Sequence, residues 1–189
     1  MKVAITGIIG SGKSEVSKIL REKGECVLSA DEINAKLLTD SDYLKKLNKV
    51  FPEAFIDGSF DKKKLSSIVF SDEKELEKLN ALAHPEIMKT IFRLASEKEL
   101  VFCEIPLLRD EWVEFFDYVW IVSCDSEEKR IERICNRDGR SLEQAKQMID
   151  SQRENRDIIY GKCSTISNNG NLDELRDCVE REYCKLTVN

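Results

Sequence analysis

The chain contains no apolar run approaching the ~20 residues that a helix needs to cross a bilayer, which excludes a helical membrane protein. It also lacks a surplus of positive charge. Thirty lysines and arginines stand against 36 aspartates and glutamates, a net charge of −6, which argues against broad, backbone-driven nucleic-acid binding. No C-x-x-C pair is present, and the seven cysteines (Cys26, Cys103, Cys124, Cys135, Cys163, Cys178, Cys184) are odd in number and dispersed. They read as reduced thiols, several of them buried as small apolar residues, with no metal assigned. There is no internal repeat, low-complexity tract or flexible linker. An N-K-x-D guanine motif is missing too, which counts against a GTPase-type switch. The first apolar stretch starts at once, with no leader-like segment ahead of it, so the expected location is cytoplasmic. What remains, 189 residues with 41% hydrophobic and 35% charged side chains, suits one soluble domain with a smaller insertion.

The most informative feature present is Gly7-Ile8-Ile9-Gly10-Ser11-Gly12-Lys13-Ser14, which has the spacing G-x-x-x-x-G-K-S and follows the apolar Val3-Ala4-Ile5. Glycines at these positions let backbone N–H groups turn toward anionic oxygens. Lys13 brings a positive charge to terminal phosphates, and the Ser14 hydroxyl is a ligand for magnesium. The next residues, Glu15 to Lys23, carry Val16, Ile19 and Leu20 at helical spacing before Gly24 stops the helix. A helix starting there adds its positive dipole end to the site. The pattern predicts a protein that handles a nucleoside triphosphate.

Short segments rich in Val, Ile, Phe and Cys recur at Lys2 to Thr6, Glu25 to Ser29, Leu100 to Ile105, Tyr118 to Ser123 and Cys163 to Ser167, as expected for buried parallel strands. Helical periods lie between and after them, notably at Ser126 to Asp138, Ser141 to Asp157 and Leu172 to Leu186. The expected fold is therefore α/β: a three-layer P-loop NTPase fold with a five-stranded parallel sheet. Residues 40–99 break this rhythm with helical patterns interrupted by Pro52, Gly58 and Pro85. That stretch is too long for a loop, and reads as an inserted helical subdomain that closes over a second substrate. Residues 133–157 read as a helical lid.

Several side chains then stand where chemistry is expected. Asp31 follows the second strand, at the carboxyl edge where open parallel sheets bind ligands, and can take the proton of an attacking hydroxyl; a cap for a helix starting at Glu32 is the plainer alternative. Glu104 ends the third strand, as an acid that binds magnesium through water or as a salt-bridged strand end. Of the arginines after the fourth strand, Arg133 and Arg137 share a helix face. Arg137 and Arg140, read as lying in the turn, are candidates to swing onto the triphosphate, whereas Arg130 is assigned to a solvated, ion-paired face. His84, the only histidine, precedes Pro85 at an expected helix break and reads as structural when taken alone.

Taken together, Ile5-Thr6-Gly7-x-x-Gly10-Ser11-Gly12-Lys13-Ser14, Ser29-Ala30-Asp31, Leu79-Asn80-Ala81-Leu82-Ala83-His84-Pro85, Ile105-Pro106-Leu107-Leu108, Arg133-x-x-x-Arg137-Asp138, Gln152 and Asn168-Asn169-Gly170 resemble the dephospho-CoA kinases, over nearly the whole chain. The resemblance implies ATP and dephospho-coenzyme A as substrates, magnesium as cofactor, and phosphorylation of the ribose 3'-hydroxyl. It implies that Gly10, Ser11, Gly12, Lys13, Ser14 and Glu15 hold the ATP phosphates. By the same likeness Asn169 and Gly170 lie by the adenine, Asp31 is the base, Arg137 belongs to the lid, and His84, Pro106 and Leu107 face the acceptor. The chain departs from the family pattern at Ile8, Glu15, Arg109 and Lys162-Cys163. A related nucleoside or nucleotide kinase and a non-enzymatic nucleotide switch are the rival readings.

Overall fold

The computed structural model describes residues 1–150 and 162–187. In chain order the elements are β1 (Lys2–Thr6), α1 (Lys13–Glu22), β2 (Val27–Ser29), α2 (Ala30–Leu37), α3 (Ser41–Val50), β3 (Phe55–Ile56), β4 (Ser59–Phe60), α4 (Lys62–Ser71) and α5 (Glu73–Ser96). They continue with β5 (Val101–Glu104), α6 (Asp110–Val113), β6 (Tyr118–Ser123), α7 (Glu127–Asp138), α8 (Leu142–Asp150), β7 (Cys163–Ser167) and α9 (Leu172–Thr187). Two compact units result, one of Met1–Ser29 with Glu97–Asn189 and one of Ala30–Ser96.

The first unit is built on a five-stranded sheet of order β2-β5-β1-β6-β7, every pair of which is parallel. Val16, Ile19 and Leu20 of α1 and Leu175, Cys178 and Val179 of α9 pack on one face, against Val3, Ile5, Phe102, Trp120, Val122 and Ile166. Residues that alternate with these on the strands, Ala4, Val101, Cys103 and Val119, are buried as well, so the central strands are covered on both faces. Burial and the neighbouring Cys26 push the Cys103 thiol up to about 12, which leaves it protonated and inert at neutral pH. β7 differs from the expected buried strand: it is the sheet edge, and only Ile166 in it is buried. The rest of its apolar-looking run, Cys163 and Thr165, faces solvent.

Helix ends follow their capping residues. Ser126 Oγ accepts from Lys129 N at the head of α7, and Ser141 and Gln144 form a reciprocal capping box that starts α8. α7 and α8 share a small core of Ile131, Ile134, Ala145 and Ile149. The remainder of the expected lid and helix, residues 151–157 with Gln152, lies outside the described residues.

Tyr183 on α9 donates its hydroxyl to Glu25 Oε1, and this bond, with burial adding to it, pushes the phenol up to about 12. A raised folded-state value means stability that is full below the ordinary tyrosine range near 10 and is lost as pH climbs from there toward 12. The denaturant midpoint is therefore expected to fall between pH 9.5 and 11.5 by more in wild type than in Tyr183→Phe. Equal losses in the two proteins would show that this bond does not govern the alkaline limb.

The second unit starts at Ala30 rather than near residue 40, because α2 packs on α5 and so belongs with it. Asp40 and Asp61 cap α3 and α4 through paired bonds to Asp42 N and Tyr43 N, and to Lys63 N and Lys64 N. Leu47, Phe51, Ala54, Leu65 and Val69 form its core. The unit is not wholly helical as expected. Asp57-Gly58, both at positive φ, turn the two-residue strands β3 and β4 into an antiparallel hairpin on which Phe55 and Phe60 pack, 5.5 Å apart. The break expected at His84-Pro85 is also absent, for α5 runs through it. Proline deprives only the carbonyl four residues back of its donor, and Ala81 there is exposed to water, while Ala83, Ile87, Met88, Ile91 and Ala95 keep one buried stripe on both sides.

Candidate active site

All five strands of the first unit point their carboxyl ends the same way, so the segments that leave them gather at one edge of the sheet. Register fixes which ones. Ile5 pairs with Glu104, Thr6 with Ile121, and Ser123 with Ser167, which brings Gly7, Glu104, Cys124 and Asn168 to neighbouring strand ends.

The loop after β1 closes on itself through Ser11 N donating to Ile8 O at 3.2 Å, and passes into α1 at Gly12, whose φ is +99°. Gly10 and Gly12 are both required. A methyl group on Gly10, at φ +76°, would meet the Arg130 carbonyl oxygen at 2.8 Å, and one on Gly12 would meet Asn168 Nδ2 at 2.0 Å. Lys13 arches back over the loop: its Nζ donates to Gly7 O at 2.7 Å and to Ile8 O at 3.2 Å. Its ammonium group is thus folded back onto the carbonyls of the loop, half-buried and not extended into solvent. Glu15 pairs with Lys18 at 3.6 Å, along the flank of α1.

Ser14 is exposed at the head of α1, and Ser17, one turn further on the same helix face, donates to Glu104 Oε2 at 2.6 Å. A hydroxyl and a nearby carboxylate suit magnesium, which binds few protein ligands and keeps water and phosphate oxygens for the rest of its shell. No group of three or more His, Cys, Asp or Glu able to hold a metal occurs among the described residues.

The loop is braced from outside by α7 and by the segment after β7. Arg133 Nη1 donates to the carbonyls of Gly10 and Ser11, and its Nη2 to Asn168 O and Oδ1, all at 3.2 Å. Asn168, 6% exposed, donates from Nδ2 to Ser11 O at 2.8 Å and from its backbone to Ser123 O. Arg130 corrects the expectation of a solvated face: it is 4% exposed, lies against Gly10, and keeps Glu127 only at 3.8 Å. The sequence held a signal for this, since Arg130 shares a helix face with the buried Ile134. Arg133, which lies in the stretch read as a lid, bonds to the loop, and Ser17, which no sequence motif singles out, bonds to Glu104.

Asn169 and Gly170 follow Asn168. Asn169 Oδ1 accepts from Asp125 N, its Nδ2 donates to Asp125 Oδ2, and Lys129 Nζ donates to its carbonyl. A methyl group on Gly170 would strike the Glu174 carboxylate. Arg137 lies in the last turn of α7 and not in the turn beyond it; it forms a bidentate pair with Asp138 at 2.7 Å, which holds that carboxyl below its usual range. Arg140 is exposed just past Gly139. Pro106 and Leu107 leave the end of β5, half-buried and 39% exposed respectively. Beside them Arg109 stacks on Trp112 and reaches Glu111 at 3.9 Å.

In the second unit, Asp31 is exposed and is the second residue of α2, inside its first turn. It is therefore not the cap of a helix beginning at Glu32. His84 is half-buried on α5 and Pro85 exposed. No helix among the described residues is long and apolar enough to cross a membrane.

Comparison with known proteins accounts for these features together. Residues 1–174 match the model of the dephospho-CoA kinase family, CoaE. A dephospho-CoA kinase of Fusobacterium nucleatum is 35% identical over 190 residues, which cover 98% of this chain and 97% of that protein. Of solved structures, TT1252 from Thermus thermophilus superposes with a TM-score of 0.78 at 31% identity, covering 98% of this chain and 97% of that one. The dephospho-CoA kinase from Campylobacter jejuni does so with 0.70 at 26%, covering 98% of each. A match that runs from the first residue past the end of β7 takes in the loop, Glu104, Arg133 and Asn168 alike, and the chain belongs to the dephospho-CoA kinase family.

Proposed function

We propose that this protein transfers the γ-phosphoryl group of ATP to the ribose 3'-hydroxyl of dephospho-coenzyme A, giving coenzyme A and ADP in the last step of coenzyme A biosynthesis. The observation that carries this reading is a braced phosphate loop with Lys13 folded over it, in a chain that matches a kinase family along nearly its whole length.

Phosphoryl transfer brings two anionic groups together, so the protein's work is positioning and charge neutralisation, with no covalent intermediate. In this reading the main-chain amides from Gly10 to Ser14, at the head of α1, hold the β- and γ-phosphates, and Lys13 neutralises charge on the transferred group. Magnesium would be held by the Ser14 hydroxyl and, through water, by Glu104, and would supply further charge neutralisation. The turn at Asn169 and Gly170 would hold the adenine. Asp31 lies two residues beyond Ser29, the end of a strand paired opposite Glu104, so chain geometry alone keeps its Cα within about 7 Å of that strand end. Its carboxylate would accept the 3'-hydroxyl proton as that oxygen attacks the γ-phosphorus.

Arg137 and Arg140 would close on the phosphates. Residues 30–96 would receive the acceptor, with His84, Pro106 and Leu107 on its side, and closure would exclude the water that otherwise hydrolyses ATP.

A coupled assay of ADP release with and without dephospho-coenzyme A tests the assignment. ADP release is expected to depend strongly on that acceptor and to stay near background with nucleoside monophosphates or water alone. Equal release with and without dephospho-coenzyme A would overturn it.

A further inference from the structure

Arg133 and Asn168 converge on one peptide group of the phosphate loop. The carbonyl of Ser11 accepts from Asn168 Nδ2 at 2.8 Å and from Arg133 Nη1 at 3.2 Å, so both of its lone pairs are engaged, one of them by a cation. A trans peptide is planar, with its C=O and N–H pointing in opposite directions. The N–H of that same peptide belongs to Gly12, the residue that opens α1. With the carbonyl turned to α7 and to the segment after β7, the Gly12 N–H is turned the opposite way, away from Arg133 and Asn168. Hydrogen bonds to a carbonyl polarise its peptide and strengthen the N–H at the other end as a donor. A charged donor does so most.

We infer that Arg133 and Asn168 are positioning residues that polarise the Ser11–Gly12 peptide, making the Gly12 N–H a strengthened donor to the nucleotide's phosphate and tying the loop after β1 to the loop after β7. The inference rests on the phosphate-site reading given above, but does not depend on the identity of the acceptor. It also explains why position 12 has no room for a side chain: Asn168 Nδ2 occupies the place of a Cβ there. Arg133 further bonds the carbonyl and side-chain oxygen of Asn168, so loss of the guanidinium frees the amide that works beside it. The two residues therefore act as one device, and their effects are not additive.

The test uses Arg133→Gln, Asn168→Ala, the double variant and Arg133→Lys, each checked for folding by thermal unfolding. The first readout is the Gly12 amide resonance in nucleotide-free protein. Both single variants are expected to move its ¹⁵N shift upfield, with no substrate present. The second is ADP affinity by calorimetry, expected to fall about tenfold in each single variant. The double variant should lose clearly less than the product of the two. Arg133→Lys should fall between wild type and Arg133→Gln, since an ammonium cannot span all four acceptors. The KM for dephospho-coenzyme A should stay within about twofold. An unmoved Gly12 resonance, or losses that multiply as for two independent contacts, would overturn the inference. Absence of acceptor-dependent ADP release in wild type would instead sink the kinase assignment, and would leave the resonance and ADP measurements to judge this device separately.

Discussion

Lys13→Ala is expected to lower kcat/KM for ATP by 10²- to 10³-fold, on the order of what a transition-state-directed electrostatic contact contributes. Two effects combine. The ammonium would no longer neutralise charge on the phosphoryl group in flight, and the bonds from Nζ to Gly7 O and Ile8 O that draw the loop around its centre would be gone. Lys13→Met separates them from bulk: it keeps the stem and loses both the charge and the donors, and should be as inactive as alanine. ADP affinity should fall in both variants while adenosine affinity does not, because the side chain faces phosphate and not base. Raising the ionic strength should narrow the gap between wild type and variant, since part of the effect is Coulombic. A Lys13→Ala protein that retained wild-type kcat/KM would show that the loop does not work as described.

The parts of this molecule that were legible in the sequence are those where a local pattern has one structural solution. G-x-x-x-x-G-K-S between an apolar strand and a helical period can form little else, and β1, β6 and β7 fall on the residues the apolar runs marked. Gly24, at φ +89°, ends α1 as its position suggested. Where tertiary packing decides, the sequence misled. Arg130 carries a charge and neighbours Glu127 and Glu128, which reads as a solvated face, yet the helix lays it against Gly10 because Ile131 and Ile134 must be buried. Pro85 signals a break, but a 24-residue helix with an apolar stripe on both sides of it loses only one hydrogen bond by continuing. Asp57-Gly58 is the reverse case: a local hairpin turn with both residues at positive φ, where the sequence reading has Gly58 only as an interruption between helical segments. Arg133 shows the limit most clearly. Four residues of spacing place it with Arg137 on one helix face, but only the fold turns it to the carbonyls of Gly10 and Ser11, 123 and 122 residues away along the chain.

Asp31→Asn is expected to cut kcat by on the order of 10²-fold or more while ADP affinity stays within about twofold, the signature of a group that acts on the attacking hydroxyl and not on the nucleotide. The substitution is nearly isosteric, so it removes proton-accepting capacity and one charge with little change of shape. The competing role for Asp31 is purely structural: an acid in the first turn of α2 interacts favourably with the helix dipole, which is worth about 0.3–1 kcal/mol. That role predicts a small loss of thermal stability and normal turnover. Glu32→Gln discriminates between the two, because Glu32 occupies the same first turn and contributes the same kind of dipole interaction. If the first turn merely needs negative charge, the two variants should resemble each other; if Asp31 takes the proton, only Asp31→Asn should be slow, and both should unfold within a few degrees of wild type. Asp31→Glu restores the carboxylate but carries it one methylene further, and a displacement on the order of 1 Å at the reacting centre is enough to cost about 10²-fold. Partial activity in Asp31→Glu together with near-silence in Asp31→Asn would mark a carboxylate whose position matters as well as its charge. Full turnover by Asp31→Asn would move the base elsewhere on the chain.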